Sequence, residues 1–407
     1  MDIREKAKEL LLKNYQATGG KYTCPSWPHY PHQYLWDSCF HAIVYAELGL
    51  TDLAKNEIEQ LLKWQRQDGW IPHIIYLGQR QKLFDLERRL YKKDRNQFHS
   101  SITQPPVIAQ AVEAINDPEW TQKILPSILK FYLYFSQKQD PDADGLISVC
   151  HPCETGRDTS PDLNFCRPFN PVSFFLACLK LEWQYKKAGW DIEKIWQKNL
   201  FNVEDLMFNC IWVDGLRSLY RLIGSYGPEG IIQQAEKIRA IADRSEEAIY
   251  HLCWDEKDRI FYNLDSQNKK IRRLTASNLF PLILDNIPEK MHKSLVEHLT
   301  NPEEFWTPYP IPSVAKNDPA FDPNHGYYCN WRGPVWINMN WFISKGLLKH
   351  GYREIAEKIT DKTLEVAEEE GFREFYNPLM GQGLRKLTRG FGWSTLAITL
   401  PKILKEN

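Results

Sequence analysis

Two short acidic runs hold the residue types that break a glycosidic bond. Asp158 closes Glu154-Thr155-Gly156-Arg157-Asp158, and Glu374 lies in Phe372-Arg373-Glu374-Phe375-Tyr376-Asn377-Pro378. Each run puts a carboxylate in a glycine-containing loop between stretches of helical periodicity. One carboxyl can protonate a leaving oxygen while another activates water or attacks carbon, so such a pair is the minimum equipment for glycoside hydrolysis. The chain also has 15 Trp, 19 Tyr and 19 Phe, 13% of its residues. Most of these rings belong to a core, but flat rings also stack on the C–H faces of sugars and can wall a sugar site.

The elements that must position these loops are helical. Leu10 to Leu12, Ala42 to Leu48, and Leu53, Ala54, Ile58, Leu61 and Leu62 follow a helical period. Similar stretches lie near 104–115, 119–137, 169–188, 193–210, 231–252, 275–284, 289–300, 334–349, 352–369 and 392–404, about a dozen helices in all. Strand-like alternation is confined to short pieces such as Arg259-Ile260-Phe261-Tyr262-Asn263, which predicts a small hairpin. A loose repeat links helix ends to loops: Gln67-Asp68-Gly69-Trp70, Asp142-Ala143-Asp144-Gly145-Leu146 and Glu370-Gly371-Phe372. Glycine after a helix supplies a left-handed cap, so these loops are expected to leave equivalent helix ends on one face. An all-α (α/α)6 barrel, a toroid of paired helices with short β-hairpins in its loops, meets these requirements. With no Ser/Gly linker or low-complexity tract, residues 1–407 read as one catalytic domain. The glycine-rich run 224–230 reads as a loop, a candidate lid.

Composition narrows the class. Lys+Arg is 51 and Asp+Glu 52, a net charge of −1, which gives no support for nucleic-acid binding. Nine scattered cysteines suggest free thiols in a reducing compartment. The first 15 residues lack the apolar stretch of a signal peptide, and no run of 18 apolar residues exists to span a membrane. A cytoplasmic location is expected. Cys150-His151-Pro152-Cys153 has no second Cys-x-x-Cys to complete a metal site, and neither a metal nor another cofactor is expected. Nothing in the sequence specifies an oligomeric state.

Seven runs in this order resemble glycoside hydrolase family 63, and more loosely the trehalase and glucoamylase families: Tyr34-Leu35-Trp36-Asp37, Gln67 to Pro72, Gln104-Pro105-Pro106, Glu154 to Asp158, Trp331-Arg332-Gly333-Pro334-Val335-Trp336 with Asn340-Trp341, Glu374 to Pro378, and Phe391-Gly392-Trp393-Ser394. They cover most of the chain after residue 30. The resemblance implies an inverting mechanism with Asp158 as general acid and Glu374 as general base, their carboxyls about 6.5–9.5 Å apart. After the acid the family often has Asn-Ser-Pro-Arg; here Thr159-Ser160-Pro161-Asp162 follows, and sugar contacts from that Asn or Arg are not carried over. Family members with a β-rich domain before the barrel are longer. This length resembles compact members that hydrolyse mannosylglycerate or glucosylglycerate, so the partner expected is a small carbohydrate with a carboxylated aglycone.

Further site candidates are Tyr34, Trp36, Asp37, His73, Gln104, Glu154, Trp331, Arg332, Gly333 and Trp393. Trp36 and Trp331 would stack on a sugar, and Asp37, Gln104 and Arg332 would bond its hydroxyls. Glu154 would hold a hydroxyl or tune Asp158. Arg157, Arg167, Arg217 and Arg221 are candidates for the aglycone carboxylate. Structural readings stand beside these. Asp158 before Thr159-Ser160-Pro161 is also capping chemistry, Glu374 also fits an ion pair at a turn, and Trp336 and Trp341 read as core. Rival functions are a trehalase-like or oligosaccharide α-glucosidase, an (α/α)6 sugar isomerase or epimerase, and a sugar-binding module that would need neither carboxylate.

Overall fold

The computed structural model describes residues 2–77, 98–166, 169–324, 330–384 and 389–406. Arg167 and Cys329 lie outside them. Among the described residues, six elements close a ring, each packing on the next: helices Leu35–Glu47, Ile108–Ile115 and Leu206–Tyr226, the 3₁₀ segment Ala276–Ile283, helix Ile337–Lys349 and the 3₁₀ segment Gly392–Thr399, which returns to the first. A second layer of helices covers this ring: Ile3–Ala17, Thr51–Leu62, Pro118–Lys138, Ala235–Ala248, Glu289–Leu299 and Arg353–Glu369. This is the (α/α)6 toroid that the helix count and the loop repeat predicted.

Sequence separates the two layers. In Leu35–Glu47 every residue from Leu35 to Tyr45 is buried, as required of a helix surrounded by neighbours. Outer helix Thr51–Leu62 buries only Ala54, Glu57, Ile58 and Leu61, one stripe at helical spacing. At the centre, Phe40 meets Trp36, Trp341 and Phe342 with ring centroids 5.6, 6.3 and 6.1 Å away. Truncating such a ring costs about 3–5 kcal/mol, so Phe40→Ala would open the seam of the toroid.

Two sequence expectations are corrected here. The stretch 193–210 is not one helix: Ile192–Lys198 ends, the strand Val203–Glu204 intervenes, and helix Leu206–Tyr226 then runs well beyond residue 210. Gly215, which argues against a helix by propensity, sits where a Cβ would come 2.3 Å from the Tyr132 hydroxyl, so close helix packing requires glycine there. The proposed lid at 224–230 is also overturned. Gly224 to Tyr226 form the last turn of that helix, about 30 Å from its start at Leu206, and the Tyr226 hydroxyl bonds Asn116, just past the C-terminus of helix Ile108–Ile115. That is the end of the toroid opposite the N-termini described next.

The inner elements start at one rim, where short strands tie their approach loops together. Gln33–Tyr34 pairs with Ile74–Ile75, and Val203–Glu204 is flanked by Ser148–Val149 and Leu264–Asp265. The predicted hairpin is present as Trp254–Asp255 against Ile260–Phe261. Gly69, Gly145 and Gly371 all have positive φ, at 99, 104 and 74°. Each follows an outer helix and turns the chain towards the rim, as the repeat implied.

Candidate active site

A cavity of about 150 Å³ opens at this rim, and both Asp158 and Glu374 line it. Tyr34, Trp36 and Asp37 come from the start of helix Leu35–Glu47, Gln104 precedes Ile108–Ile115, Trp331 and Trp336 precede Ile337–Lys349, and Trp393 opens the last 3₁₀ segment. His73 comes from the loop strapped to Tyr34. Residues distant in sequence thus converge because each sits at the N-terminal end of an inner element.

The wall is aromatic and interlocked. Trp331 and Trp336 stack at 3.6 Å with planes 6° apart. Trp393 meets Trp36 edge-on at 5.4 Å, and its centroid lies 5.5 Å from Trp336. Such contacts restrict ring motion and pre-shape the cavity. Gly156 lies against Trp36: a Cβ there would fall 2.4 Å from the indole, and its φ is +69°. The glycine of the acidic run is therefore needed to bring Asp158 past the tryptophan.

Glu374 is buried, and Oε1 accepts a hydrogen bond from the Tyr30 hydroxyl at 3.0 Å. Asp37 is buried too, with Oδ1 lacking any hydrogen-bond partner. Burial, followed by the nearby Glu374 charge, lifts the Asp37 carboxyl well above the usual range. An unsatisfied buried carboxyl oxygen on a cavity wall is costly unless a ligand hydroxyl reaches it. Gln104 is oriented by accepting the Trp36 backbone N–H at 3.3 Å. Burial, then the neighbouring His151, lowers His73 to about 3, so its imidazole is neutral at ordinary pH.

The loop bearing Asp158 is anchored by its neighbour. Arg157 is 1% exposed and donates to Ser160 at 2.9 Å, to both Asp162 oxygens at 3.1 Å and to Asp205 at 2.5 Å. Asp162 also accepts from Thr275, which caps the inner segment Ala276–Ile283, and Asp205 caps Leu206–Tyr226. The network ties the acidic loop to the starts of two inner elements.

A second cavity, about 290 Å³, abuts the first, and Asp158 lines both. Its wall includes Thr159, Phe165, Phe169, Arg273 and Arg332. The Arg332 guanidinium lies 3.7 Å over the Phe169 ring and its Nε donates to the Thr159 carbonyl at 3.1 Å. Arg273 is ion-paired to Asp318.

Several sequence assignments change. Glu154 does not line the cavity: its oxygens accept the Thr103 and Cys150 N–H groups at 3.2 and 2.8 Å, so it braces two loops. Gly333 does not line it either; its N–H bonds Ser313, and a Cβ would meet the Asp322 carbonyl at 2.5 Å. Arg332 belongs to the second cavity. Arg157 is consumed by Asp162 and Asp205, Arg217 by Asp243 and Glu246, and Arg221 by Glu113, so none of the three meets an aglycone. Trp336, read as core, lines the cavity. Tyr30, Asn330 and Phe391 also line it and were missed. Tyr30 lies in Pro25-Ser26-Trp27-Pro28-His29-Tyr30-Pro31, whose prolines and aromatics were its one visible signal.

Residues 30–394 match the family described as "Mannosylglycerate hydrolase MGH1-like glycoside hydrolase domain". The chain is 30% identical over 430 residues to the mannosylglycerate hydrolase of Thermus thermophilus, covering 96% of this chain and 98% of that one. It is 24% identical to the glucosylglycerate hydrolase of Mycolicibacterium hassiacum, covering 91% of each. A GH63 mannosylglycerate hydrolase from Thermus thermophilus, solved in complex with Tris and D-glycerate, aligns over the full length of both chains with a TM-score of 0.85 and 29% identity. The chain belongs to the MGH1-like mannosylglycerate hydrolase family of glycoside hydrolases.

Proposed function

We propose that this chain hydrolyses a small α-glycoside with inversion, that the substrate is mannosylglycerate or glucosylglycerate, and that Asp158 is the general acid and Glu374 the general base. The observation that carries the reading is the position of Asp158, on the wall of both cavities. A proton donor to a glycosidic oxygen must stand between the sugar and its leaving group. The smaller, aromatic cavity suits the sugar ring, with Asp37 and Gln104 bonding hydroxyls and the tryptophans covering apolar faces. The second cavity suits the leaving group. Arg332 lines it, and its guanidinium fork matches a carboxylate such as that of glycerate.

Asp158 gives its proton to the glycosidic oxygen as the C–O bond breaks. Glu374 takes a proton from a water that attacks the anomeric carbon from the opposite face, so an α-glycoside releases a β-sugar. Protons return to Asp158 and leave Glu374 through solvent. All site contributions come from one catalytic domain spanning residues 1–407. The isomerase alternative needs an effective imidazole base; among the described residues lining the cavity the one histidine is His73, too weakly basic at about 3. No helix among the described residues is long and apolar enough to cross a membrane, and Cys24, Cys39, Cys150, Cys210 and Cys253 are buried free thiols. Both support a cytoplasmic setting for the reaction.

The test is turnover of mannosylglycerate, glucosylglycerate, trehalose and kojibiose by wild type and Arg332→Gln. The reading expects cleavage of a glycerate compound, with KM raised about tenfold or more in the variant through loss of a charged contact. Preference for trehalose or kojibiose, unaffected by Arg332→Gln, would contradict it.

A further inference from the structure

A buried carboxylate serves as a base only while it is ionised, and burial opposes ionisation. Glu374 is 3% exposed, and the Asp37 carboxyl is near enough for the two charges to oppose each other. Arg373, its neighbour in sequence, is engaged elsewhere, with Nε donating to the Glu370 carbonyl at 2.7 Å. The Tyr30 hydroxyl donates to Glu374 Oε1 at 3.0 Å. A hydrogen bond given to a carboxylate favours its charged form, so this phenol offsets part of the cost that burial and Asp37 impose.

Phenol and carboxylate are held in one frame. The Tyr30 ring meets Tyr34 and Phe391 edge-on, with centroids 6.1 and 5.5 Å away, contacts that restrict its motion. Its backbone N–H bonds the Ser26 carbonyl at 2.7 Å, and the next residue, Pro31, accepts the buried Tyr22 hydroxyl at 2.6 Å. The start of the same loop is tied to the last inner segment, where the Pro25 carbonyl accepts the Gly392 N–H at 2.7 Å. The following residue, Trp393, donates from Nε1 to the Glu374 backbone carbonyl at 3.4 Å. The run Phe391-Gly392-Trp393 therefore touches the Tyr30 ring, the loop that carries it and the backbone of Glu374. Such a frame fixes the distance between hydroxyl and carboxylate before a substrate arrives.

We propose that Tyr30 is a positioning residue for the base: its hydroxyl fixes Glu374 Oε1 and leaves Oε2 to take the proton of the attacking water. The inference rests on the assignment of Glu374 as general base. In that step a water O–H bond breaks and its proton goes to Oε2. The water oxygen bonds the anomeric carbon, the bond to the leaving oxygen breaks, and Asp158 protonates that oxygen. Tyr30 keeps its own proton throughout. Removing its hydroxyl releases the carboxyl to rotate and withdraws a donor from its charged form, so Glu374 becomes both misaligned and harder to ionise. Among the described residues, the other ionisable groups lining the cavity are Tyr34, Asp37, His73, Cys153 and Asp158, and a change at Tyr30 leaves each of them in place.

The test is the pH profile of kcat and KM on mannosylglycerate and glucosylglycerate for the full chain as wild type, Tyr30→Phe and Glu374→Gln. Tyr30→Phe keeps the ring and its packing. It should lower kcat about tenfold to a hundredfold, the range for a hydrogen bond to a charged group, with little change in KM. The acid limb of kcat follows ionisation of the base in the complex. Loss of a donor raises the carboxyl pKa, so that limb should move up by about one pH unit, while the alkaline limb, set by Asp158, stays. A merely structural role would move neither limb. The position of the limb does not depend on how much enzyme is folded, so it stays decisive if the variant melts lower. Wild-type kcat and an unmoved acid limb in Tyr30→Phe, with Glu374→Gln inactive, would overturn this inference and leave Glu374 as the base. An active Glu374→Gln would overturn both.

Discussion

Arg157 separates two accounts of the acidic loop. As a binder of the aglycone carboxylate it would affect KM; as the structural pin seen here it should affect stability first. Its guanidinium faces Asp162 and Asp205, whose side chains are 1% and 0% exposed. Arg157→Met keeps much of the stem's volume but leaves two buried carboxylates uncompensated. Removing one partner of a buried ion pair costs about 3–5 kcal/mol, and whole domains are stable by only about 5–15 kcal/mol. The variant should therefore lose about a fifth or more of its folding free energy. Guanidinium chloride unfolding should show a lower midpoint, and kcat should fall because Asp158, the next residue, loses its fixed position. Adding Asp162→Asn should recover part of the stability by removing one stranded charge. A variant with an unchanged unfolding midpoint but a KM for a charged glycoside raised tenfold would refute the reasoning.

Three further outcomes are expected. Asp37→Asn should lower kcat/KM about tenfold to a hundredfold, the range for hydrogen bonds to a charged group, with no drop in melting temperature; an unaffected kcat/KM would remove Asp37 from the sugar site. Gly156→Ala should lose both activity and stability, because the added methyl meets Trp36 and the backbone there is left-handed; wild-type kinetics would show that the loop can yield. His41 and His73 are both held at about 3 by burial, while unfolded histidine titrates near 6.5. Each therefore contributes stability above about pH 6.5 that is lost as pH falls from there towards 3. His41→Gln should flatten the acid side of the stability profile measured by chemical denaturation, and an unchanged slope would mean that the ring is protonated in the fold.

What the sequence revealed depended on how local each signal was. Leu35–Glu47 was legible because Ala42, Ile43, Tyr45, Ala46 and Leu48 follow a helical period, and the three Gly turns because left-handed caps leave a residue signature. Helix Leu206–Tyr226 was not: Gly215 argues against a helix until Tyr132 is seen packed on it. Asp158 and Glu374, the two carboxylates proposed to react, were singled out by residue type and motif and both line the cavity, whereas Glu154, close by in sequence, proved to be a brace because its partners are backbone N–H groups. The arginines misled for a similar reason, since guanidinium chemistry says nothing about which carboxylate a fold has already supplied. Trp336 was taken as core, and a helical period cannot distinguish a ring packed in the core from one whose face also borders a cavity. Tyr30 sits in a proline-rich loop with no period at all.

The most direct test of the central claim is proton NMR of the anomer first released from mannosylglycerate and glucosylglycerate by wild type, Asp158→Asn and Glu374→Gln. The account predicts that β-sugar appears first with wild type and that both variants lose turnover by several orders of magnitude. Initial release of α-sugar, or substantial activity in either variant, would contradict it.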